Sequence, residues 1–442
     1  MENTLFAGFG KTCITPNFDV CLSGYGDELR RHAQGVAMDI YSTAVAIGDG
    51  ENTVVIITND VISSSRDTTV ELREKVGEAV GISADRVYVT NIHSHATPRV
   101  SLEPNMPGAI QFREFVFEKT IAAAKIAVAD MVPASLSIAD KQVPGMTFVR
   151  HWIMKDGTYA GPNFGDLRKE FAGHATRADE TMLLLRLTRE GKQDILMVNW
   201  QAHATNAREF GYYNLGPDFI GPLRNKLQGM SGCLVTYLPG CSGNQIPTTY
   251  WKAEHHGLSW YQYGEKLAEE ALSLIPELKP VNGTKIKNTR LVYEARANHA
   301  DEDKIDQARE VLKVFREVNR EESNKLAWSY GFTSCYHAMS ILGRPALGPT
   351  VPLDMSAFCI GDLGFAVTPT ETPSTVSHYV RMCAPYEKTV MLCGNFTYIA
   401  TYAAYEYGGY EASNTPYAQG VTEEAQQRLT EMLFKVKFQE GE

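Results

Sequence analysis

Residues 86–98 read Arg-Val-Tyr-Val-Thr-Asn-Ile-His-Ser-His-Ala-Thr-Pro, a short apolar run that ends in two histidines. The run predicts a buried strand, and residues two apart in an extended chain point to the same side. His93 and His95 can therefore face one cleft, which is a common way to build half of a metal site. Two histidines that only pack or cap a turn are the alternative, and the pair alone leaves both interpretations open.

Strand-like and helix-like segments alternate around this stretch. Residues 53–58 form a continuous apolar run typical of a buried strand, and a helical pattern follows over residues 65–80, with Gly81 as its stop. A second helix is predicted over residues 113–131. Strands mixed with covering helices predict an α/β fold of mixed β-sheets layered with helices.

The second half of the chain continues this alternation. We predict, in order, a hairpin of residues 182–187 with 194–200, a helix at 217–228, a strand at 233–237, a helix at 262–274, a charged surface helix at 301–322, a hairpin around 361–362, a strand at 389–393 and a helix from 423. We expect a single domain over residues 1–442, with residues 276–283 as the candidate boundary inside it.

Composition and charge narrow the function classes. The 442 residues are 44% hydrophobic and 21% charged with a net charge of −10, so the chain lacks the basic footprint of nucleic-acid binding. No stretch approaches the roughly 20 apolar residues of a membrane helix, and no targeting signal is visible. The eight cysteines are scattered without a C-x-x-C pair, so we expect reduced, buried thiols in a cytoplasmic protein.

Three further predicted strands end close to groups that can ligate a metal. One leads to His203, one to Glu371 and one to Tyr398. Open α/β sheets place working residues beyond the carboxyl ends of strands, and two imidazoles, a carboxylate and a phenol form a plausible zinc shell. Taken singly, Glu371 can be an acid at a helix N-terminus and Tyr398 a packing residue.

Several segments resemble the neutral/alkaline ceramidase family, which comprises zinc-dependent amidases of sphingolipid amides. The segments are residues 8–16, 92–98, 201–205, 365–371 and 398–401, with 410–412 and Tyr417. The resemblance implies a short, bacterial-type member that consists of the N-terminal catalytic domain, without the immunoglobulin-like C-terminal domain. It also implies one Zn²⁺ per chain, held by His93, His203, Glu371 and Tyr398, with His95 beside it to orient the substrate or the oxyanion.

The resemblance extends to two further candidate catalytic residues. Arg150 resembles an Asn-Arg turn that points toward the family's cleft, which implies a substrate contact; a surface ion pair is the alternative. Residues 243–247, Gly-Asn-Gln-Ile-Pro, correspond to a Gly-Asp-x-Ser-Pro element, in which Asn244 replaces the Asp and Ile246 replaces the catalytic Ser. Ser242 is near but out of register, and Asp218 has the context of a helix cap.

These observations predict a zinc-dependent hydrolase in which metal-activated water cleaves the amide C–N bond, or a related ester, of a small molecule such as an N-acylated lipid. Ile246 argues against ceramide itself. Two alternatives stay open: a metal-binding but catalytically degenerate member, and an amidohydrolase barrel, which also carries His-x-His after a strand. His255 and His256 are interpreted as an exposed loop, and residues 8–12 fail as a phosphate loop because position 5 is Leu.

Overall fold

The computed structural model describes residues 4–26, 28–160, 170–247 and 257–438. Its strands are β1 (Leu5–Cys13), β2 (Gly35–Val36), β3 (Tyr41–Gly48), β4 (Thr53–Asn59), β5 (Val87–Asn91), β6 (Val132–Gln142), β7 (Thr147–Val149), β8 (Trp152–Met154), β9 (Tyr159–Ala160), β10 (Phe171–His174), β11 (Thr181–Arg189), β12 (Ile195–Trp200), β13 (Asn214–Leu215), β14 (Leu234–Pro239), β15 (Gln245–Pro247), β16 (Lys279–Pro280), β17 (Ile286–Arg296), β18 (Thr350–Ile360), β19 (Leu363–Thr368) and β20 (Lys388–Cys393).

The α-helices of the described residues cover these strands. They are α1 (Arg66–Val80), α2 (Ala109–Ala129), α3 (Ile220–Ser231), α4 (Trp260–Leu274), α5 (Ile305–Glu317), α6 (Arg320–Ser329), α7 (Cys335–Ile341), α8 (Ser374–Cys383), α9 (Tyr402–Glu406), α10 (Tyr410–Ser413) and α11 (Val421–Phe438). None of the helices in the described part of the chain is long and apolar enough to cross a membrane.

Two mixed sheets organise the fold. The larger has nine strands in the order β14-β12-β11-β6-β1-β3-β4-β5, with β16 beside β6, and the smaller runs β17-β18-β19-β20. Within these two sheets, neighbouring strands are antiparallel except for three parallel pairs: β4 with β5, β12 with β14 and β19 with β20. The α/β fold of mixed, helix-covered sheets predicted from the sequence is therefore confirmed, and the amidohydrolase barrel is wrong because both sheets are open.

The two sheets pack face to face over a shared apolar core. Tyr88, Phe358 and Phe365 stack at its centre, with ring centroids 4.3 Å apart in each successive pair. Helices α1 to α4 cover the opposite face of the larger sheet, while α8 and α11 cover that of the smaller one. Because both faces of the central strands are buried, their sequences are continuous apolar runs, as in residues 53–58.

Glycine in β1 allows close contact between the larger sheet and α2. A Cβ atom on Gly8 or Gly10 would overlap the backbone oxygen of Ala127 or Ala123 in α2. These two glycines therefore serve strand–helix packing. Their position in a strand also agrees with the rejection of residues 8–12 as a phosphate loop.

Several predicted elements have the expected bounds, and one does not. Ser65 caps the N-terminus of α1, since its side chain accepts a hydrogen bond from Thr68 N. The helix ends at Gly81, which has the left-handed conformation. The single surface helix predicted over residues 301–322 is wrong. Helix α5 ends at Glu317, with Val318 as its C-cap, and the Asn319 side chain caps a new helix, α6.

The helices after this break form a separate cluster. Ala308 and Val311 of α5 are buried against α6 and α7, so this segment is more than a solvated face. Residues 276–283, the candidate boundary, include β16, which pairs with β6 of the larger sheet. Cys13 is exposed, contrary to the expectation of buried thiols, whereas six of the eight free cysteines are buried. The number of domains stays a prediction.

The three parallel pairs bring their carboxyl ends together. Asn199 of β12 donates hydrogen bonds to Leu238 O in β14 and to Met391 O in β20, both at 2.9 Å. Asn91, at the end of β5, donates to Gly394 O at 2.8 Å, and Asn395 donates back to Asn91 O at 2.8 Å. These buried amides tie the two sheets at the edge where the predicted site residues emerge.

Candidate metal centre

His93 lies two residues beyond β5. Its backbone has φ of 59°, so the extended geometry predicted for the His-Ser-His segment is wrong. This left-handed conformation is uncommon outside glycine and is held by the His93 N–H donating to Val61 O at 3.1 Å. The ring Nδ1 lies 3.0 Å from Ile62 O. Because a carbonyl can only accept, Nδ1 carries a proton and donates it to Ile62 O, which leaves Nε2 to face the cluster.

His203 is anchored in the same way from the other side. It follows β12, and its backbone N–H donates to Gln245 O at 3.0 Å. Its Nδ1 lies 2.6 Å from Ser242 O, which again leaves Nε2 as the free nitrogen. Ser242, the out-of-register serine, therefore acts here through its backbone carbonyl. Histidines that ligate metals generally donate their other ring N–H in this manner.

Glu371 and Tyr398 complete the convergence. The Glu371 Oε2 lies 3.2 Å from His93 Nε2 and 3.1 Å from His203 Nε2. The Tyr398 hydroxyl lies 3.3 Å from His203 Nε2. Glu371 and Tyr398 form a backbone bridge to each other, which joins the segments that follow β19 and β20. The four ligands implied by the family resemblance thus lie around one point.

His95 also faces this point. Its Nε2 lies 3.2 Å from His93 Nε2, and its buried Nδ1 has no hydrogen-bond partner among the described residues. The ligand atoms of His93, His95 and His203 all lie within 4.8 Å of one another, so a third imidazole competes with the carboxylate and the phenol as a ligand. The geometry leaves two ligand sets: the one implied by the resemblance, and one that includes His95.

Burial sets the charge state of the cluster. Desolvation lowers the pKa of His203 to about 4, and desolvation together with the two neighbouring imidazoles lowers the pKa of His95 well below its usual value. Burial alone would raise the pKa of Glu371, but His93 and His203 outweigh it and hold that pKa well below the usual range. The lowered pKa values favour neutral His95 and His203 imidazoles, the form in which histidine binds a divalent cation such as Zn²⁺.

Arg150 is buried beside the centre, so the surface ion pair considered from the sequence is wrong. Its Nε lies 2.6 Å from Glu411 Oε1, and its terminal nitrogen donates to Gly243 O at 2.8 Å. The guanidinium carbon lies 5.4 Å from the Tyr398 ring centroid and 4.9 Å from that of Tyr410. Arg150 thus places a fixed positive charge against a predicted ligand.

Glu411 was missed by the sequence reasoning. It is 1% exposed and pairs with His151 as well as Arg150. Burial opposes its ionisation, but His151 and Arg150 outweigh that effect and lower its pKa to about 2. The only sequence signal was its place between Tyr410 and Ala412 in the motif that resembles the family.

Arg31 was missed as well. It is fully buried, and one of its terminal nitrogens donates to Ser23 O at 2.8 Å and to His95 O at 2.6 Å. Gly24 lies against the same histidine, since a Cβ at this position would lie 2.5 Å from His95 Cγ. The backbone and ring of His95 are thus positioned by residues from the N-terminal loop.

Asn244, the other predicted catalytic residue, points elsewhere. Its Oδ1 accepts a hydrogen bond from Ser374 N at 2.8 Å, at the start of α8. Ile246, in the position of the family serine, is 3% exposed and packs with Phe148 and Trp152.

Asp218 accepts hydrogen bonds from Asn206 and Phe219 backbone N–H groups, and burial raises its pKa to about 6. These contacts are structural, and a catalytic role for Asn244 stays a prediction.

A cavity of about 1070 Å³ opens onto the cluster. His93, His95 and Glu371 line it together with Arg150 and side chains from α6 and α7. Such a volume accommodates an organic substrate of moderate size. His255 and His256 lie outside the described residues.

Residues 6–210 match the family model for neutral/alkaline non-lysosomal ceramidase, N-terminal. Neutral ceramidase from Pseudomonas aeruginosa superposes with a TM-score of 0.72 and 14% identity, over 99% of this chain and 75% of that chain. A ceramidase complexed with C2 superposes with the same TM-score and identity, over 98% of this chain and 75% of that chain.

A comparison with curated proteins found no significant match. At 14% identity the structural likeness establishes the fold alone, and Glu371 and Tyr398 lie beyond the matched residues 6–210. The resemblance predicted from the motifs is nevertheless confirmed: residues 6–210 carry the pattern of the neutral/alkaline non-lysosomal ceramidase N-terminal domain, and the described chain has the neutral ceramidase fold.

Proposed function

We propose that this chain is a metal-dependent hydrolase that uses one Zn²⁺ ion to cleave the amide C–N bond of an N-acylated small molecule. One observation carries the proposal. The Nε2 atoms of His93 and His203 converge on the carboxylate of Glu371, and both imidazoles are fixed through Nδ1 by backbone carbonyls. Three buried donors aimed at one point beside a cavity suit a catalytic cation better than a structural role.

The ligands in this proposal are His93, His203, Glu371 and Tyr398. When bound, a divalent cation supplies Lewis-acid polarisation of the scissile carbonyl and lowers the pKa of water. Arg150 lies against the Tyr398 ring and favours the negative charge that a phenol ligand carries. Because Glu411 pairs with Arg150, the guanidinium stays fixed in that position.

His95 handles the proton in this scheme. Its Nε2 faces the same point as the ligands, and its Nδ1 has no partner in the described chain. A neutral imidazole at this place can accept a proton from the attacking water and pass it to the leaving nitrogen. The Arg31 contact to His95 O holds the backbone while the ring performs this transfer.

A metal-binding protein without turnover is the second candidate. Ile246 favours it, because an apolar side chain lines the cavity where the family motif has a serine. The same substitution argues against ceramide as substrate, and hydrolysis of a related ester is compatible with the same donor set. Cytoplasmic location stays a prediction.

The test is a hydrolysis assay on a panel of N-acyl amides and esters, with products identified by mass spectrometry. We expect release of a free acid that contains one oxygen from ¹⁸O-labelled water, loss of activity on dialysis against a chelator, and recovery on addition of Zn²⁺. His203→Ala should be inactive, while His299→Ala, which changes an exposed histidine, should match the wild type. Metal-loaded protein that cleaves nothing in the panel would favour the binding role.

A further inference from the structure

Four arginines line the cavity beside the metal centre: Arg99, Arg150, Arg208 and Arg320. Two of them are neutralised by carboxylates. Arg150 pairs with Glu411, and Arg99 lies 3.4 Å from Glu28. Arg208 and Arg320 take part in no ion pair with any residue that the structure describes. In a chain of net charge −10, this wall therefore presents two positive charges that no described carboxylate pairs with.

Arg208 is close to the predicted reaction centre. It lies on the loop after His203, and its guanidinium carbon is 5.5 Å from the Tyr25 ring centroid and 5.4 Å from that of Tyr212. The Tyr25 ring centroid is 5.1 Å from that of His95. Tyr25 therefore contacts both Arg208 and His95. Aromatic contacts position the cation but leave its N–H donors available.

Arg320 approaches the same part of the cavity from the helical cluster. It is the first residue of α6, and its guanidinium lies beside the Tyr336 side chain of α7. The Tyr336 hydroxyl donates to Tyr25 O at 2.8 Å, which ties this helix to the loop that contacts His95. Arg208, Arg320 and Tyr25 also line a second, neighbouring recess. The two guanidinium groups thus share one region of the wall.

We infer that the substrate carries an oxyanion, of the carboxylate or phosphate type, which Arg208 and Arg320 bind at a distance from the scissile amide. Guanidinium groups match such anions with paired N–H donors, whereas an uncharged lipid amide would leave both cations uncompensated. The reacting bond in this inference rests on the proposed function, but the anion site rests only on the two arginines.

The test compares two probes that differ in charge alone: N-lauroyl-6-aminohexanoate and the corresponding primary carboxamide. Dissociation constants are measured by calorimetry for the wild type and for Arg208→Gln/Arg320→Gln. We expect the wild type to bind the carboxylate roughly tenfold more tightly at low salt. This ratio should fall with ionic strength and approach one in the double variant. Arg309→Gln, which changes an exposed arginine of α5 outside the cavity, should keep the wild-type ratio.

Equal affinity for the two probes in the wild type, or an unchanged ratio in the double variant, would overturn the inference. Product analysis of the same samples separates this result from the proposed function. If the probes bind with the expected ratio but are not cleaved, the anion site stands and the hydrolase proposal fails. If both probes are cleaved without a charge preference, the hydrolase proposal stands and the anion site fails. The dissociation constant of a probe that ends in phosphate is then compared with that of the carboxylate probe. The probe that binds more tightly identifies the preferred oxyanion.

Discussion

Glu411→Gln tests whether the buried charges behind the candidate metal centre have the strengths that the geometry implies. Glu411 lies in α10, is 1% exposed and pairs with Arg150 and His151. Glutamine preserves the shape of the side chain but removes its charge. Arg150 then becomes a buried cation without a counterion, next to the Tyr398 ring.

The magnitude follows from the pKa of the carboxyl. His151 and Arg150 overcome the effect of burial and lower the pKa of Glu411 from 4.5 to about 2. A shift of this size corresponds to about 3 kcal/mol of unfolding free energy. Because the pKa is depressed in the folded state, this stabilisation is fully present above pH 4.5 and is lost as the pH falls toward 2.

Urea denaturation of wild type and variant at several pH values between 3 and 7 measures this effect. The difference in unfolding free energy should be about 3 kcal/mol at neutral pH and should shrink steadily below pH 4.5. Glu269→Gln removes an exposed pair with Lys226 and should cost about 0–1 kcal/mol. A loss at Glu411 that is no larger than this control, or that does not change with pH, would refute the reasoning.

Substitutions at three further positions, His95, Gly24 and Ile246, probe the walls of the site. His95→Ala should keep one metal ion per chain and lower kcat by roughly 10²-fold or more; loss of the metal in elemental analysis would make His95 a ligand. Gly24→Ala should reduce kcat/KM by roughly 10²-fold because its Cβ would displace the His95 ring. Gly50→Ala, also at positive φ but facing open space, should keep full activity, and equal losses would contradict the clash. Ile246→Ala should cost about 2–5 kcal/mol in denaturant unfolding and Ile246→Val about 0.5–1.5, whereas equal costs would show that the site is loosely packed.

The layered fold could be predicted from the sequence because its signals are local. A strand buried on both faces is a continuous apolar run, as in residues 53–58, and α1 is bounded by a serine cap and a glycine stop. The break at Val318 was missed, since charged residues continue the helical pattern on both sides of it. Only the asparagine at position 319 marked the start of a new helix.

The candidate site was predictable where its residues follow strands. The segments that carry His93, His203 and Glu371 each emerge at the carboxyl end of a parallel strand pair, and such ends meet at one edge. The detailed geometry was not predictable, because nothing in the residues around His93 indicates its left-handed backbone. Asn244 was assigned from its place in a motif, but its side chain caps α8.

The long-range charge pairs could not be predicted from the sequence. Arg150 and Glu411 are separated by 261 positions, and neither has a neighbour in the chain that signals the partner. Arg31 sits in a polar loop, yet it is fully buried and binds the carbonyl of His95. Such contacts depend on how whole layers pack, which periodicity and motif spacing do not encode.

Metal content of the purified protein tests the central claim most directly. Inductively coupled plasma mass spectrometry should find one equivalent of zinc per chain in the wild type and in His299→Ala, whose histidine is exposed. His93→Ala and His203→Ala should each lose the ion, because each removes an Nε2 donor from the shared point. A full equivalent of zinc retained by both variants would contradict the account.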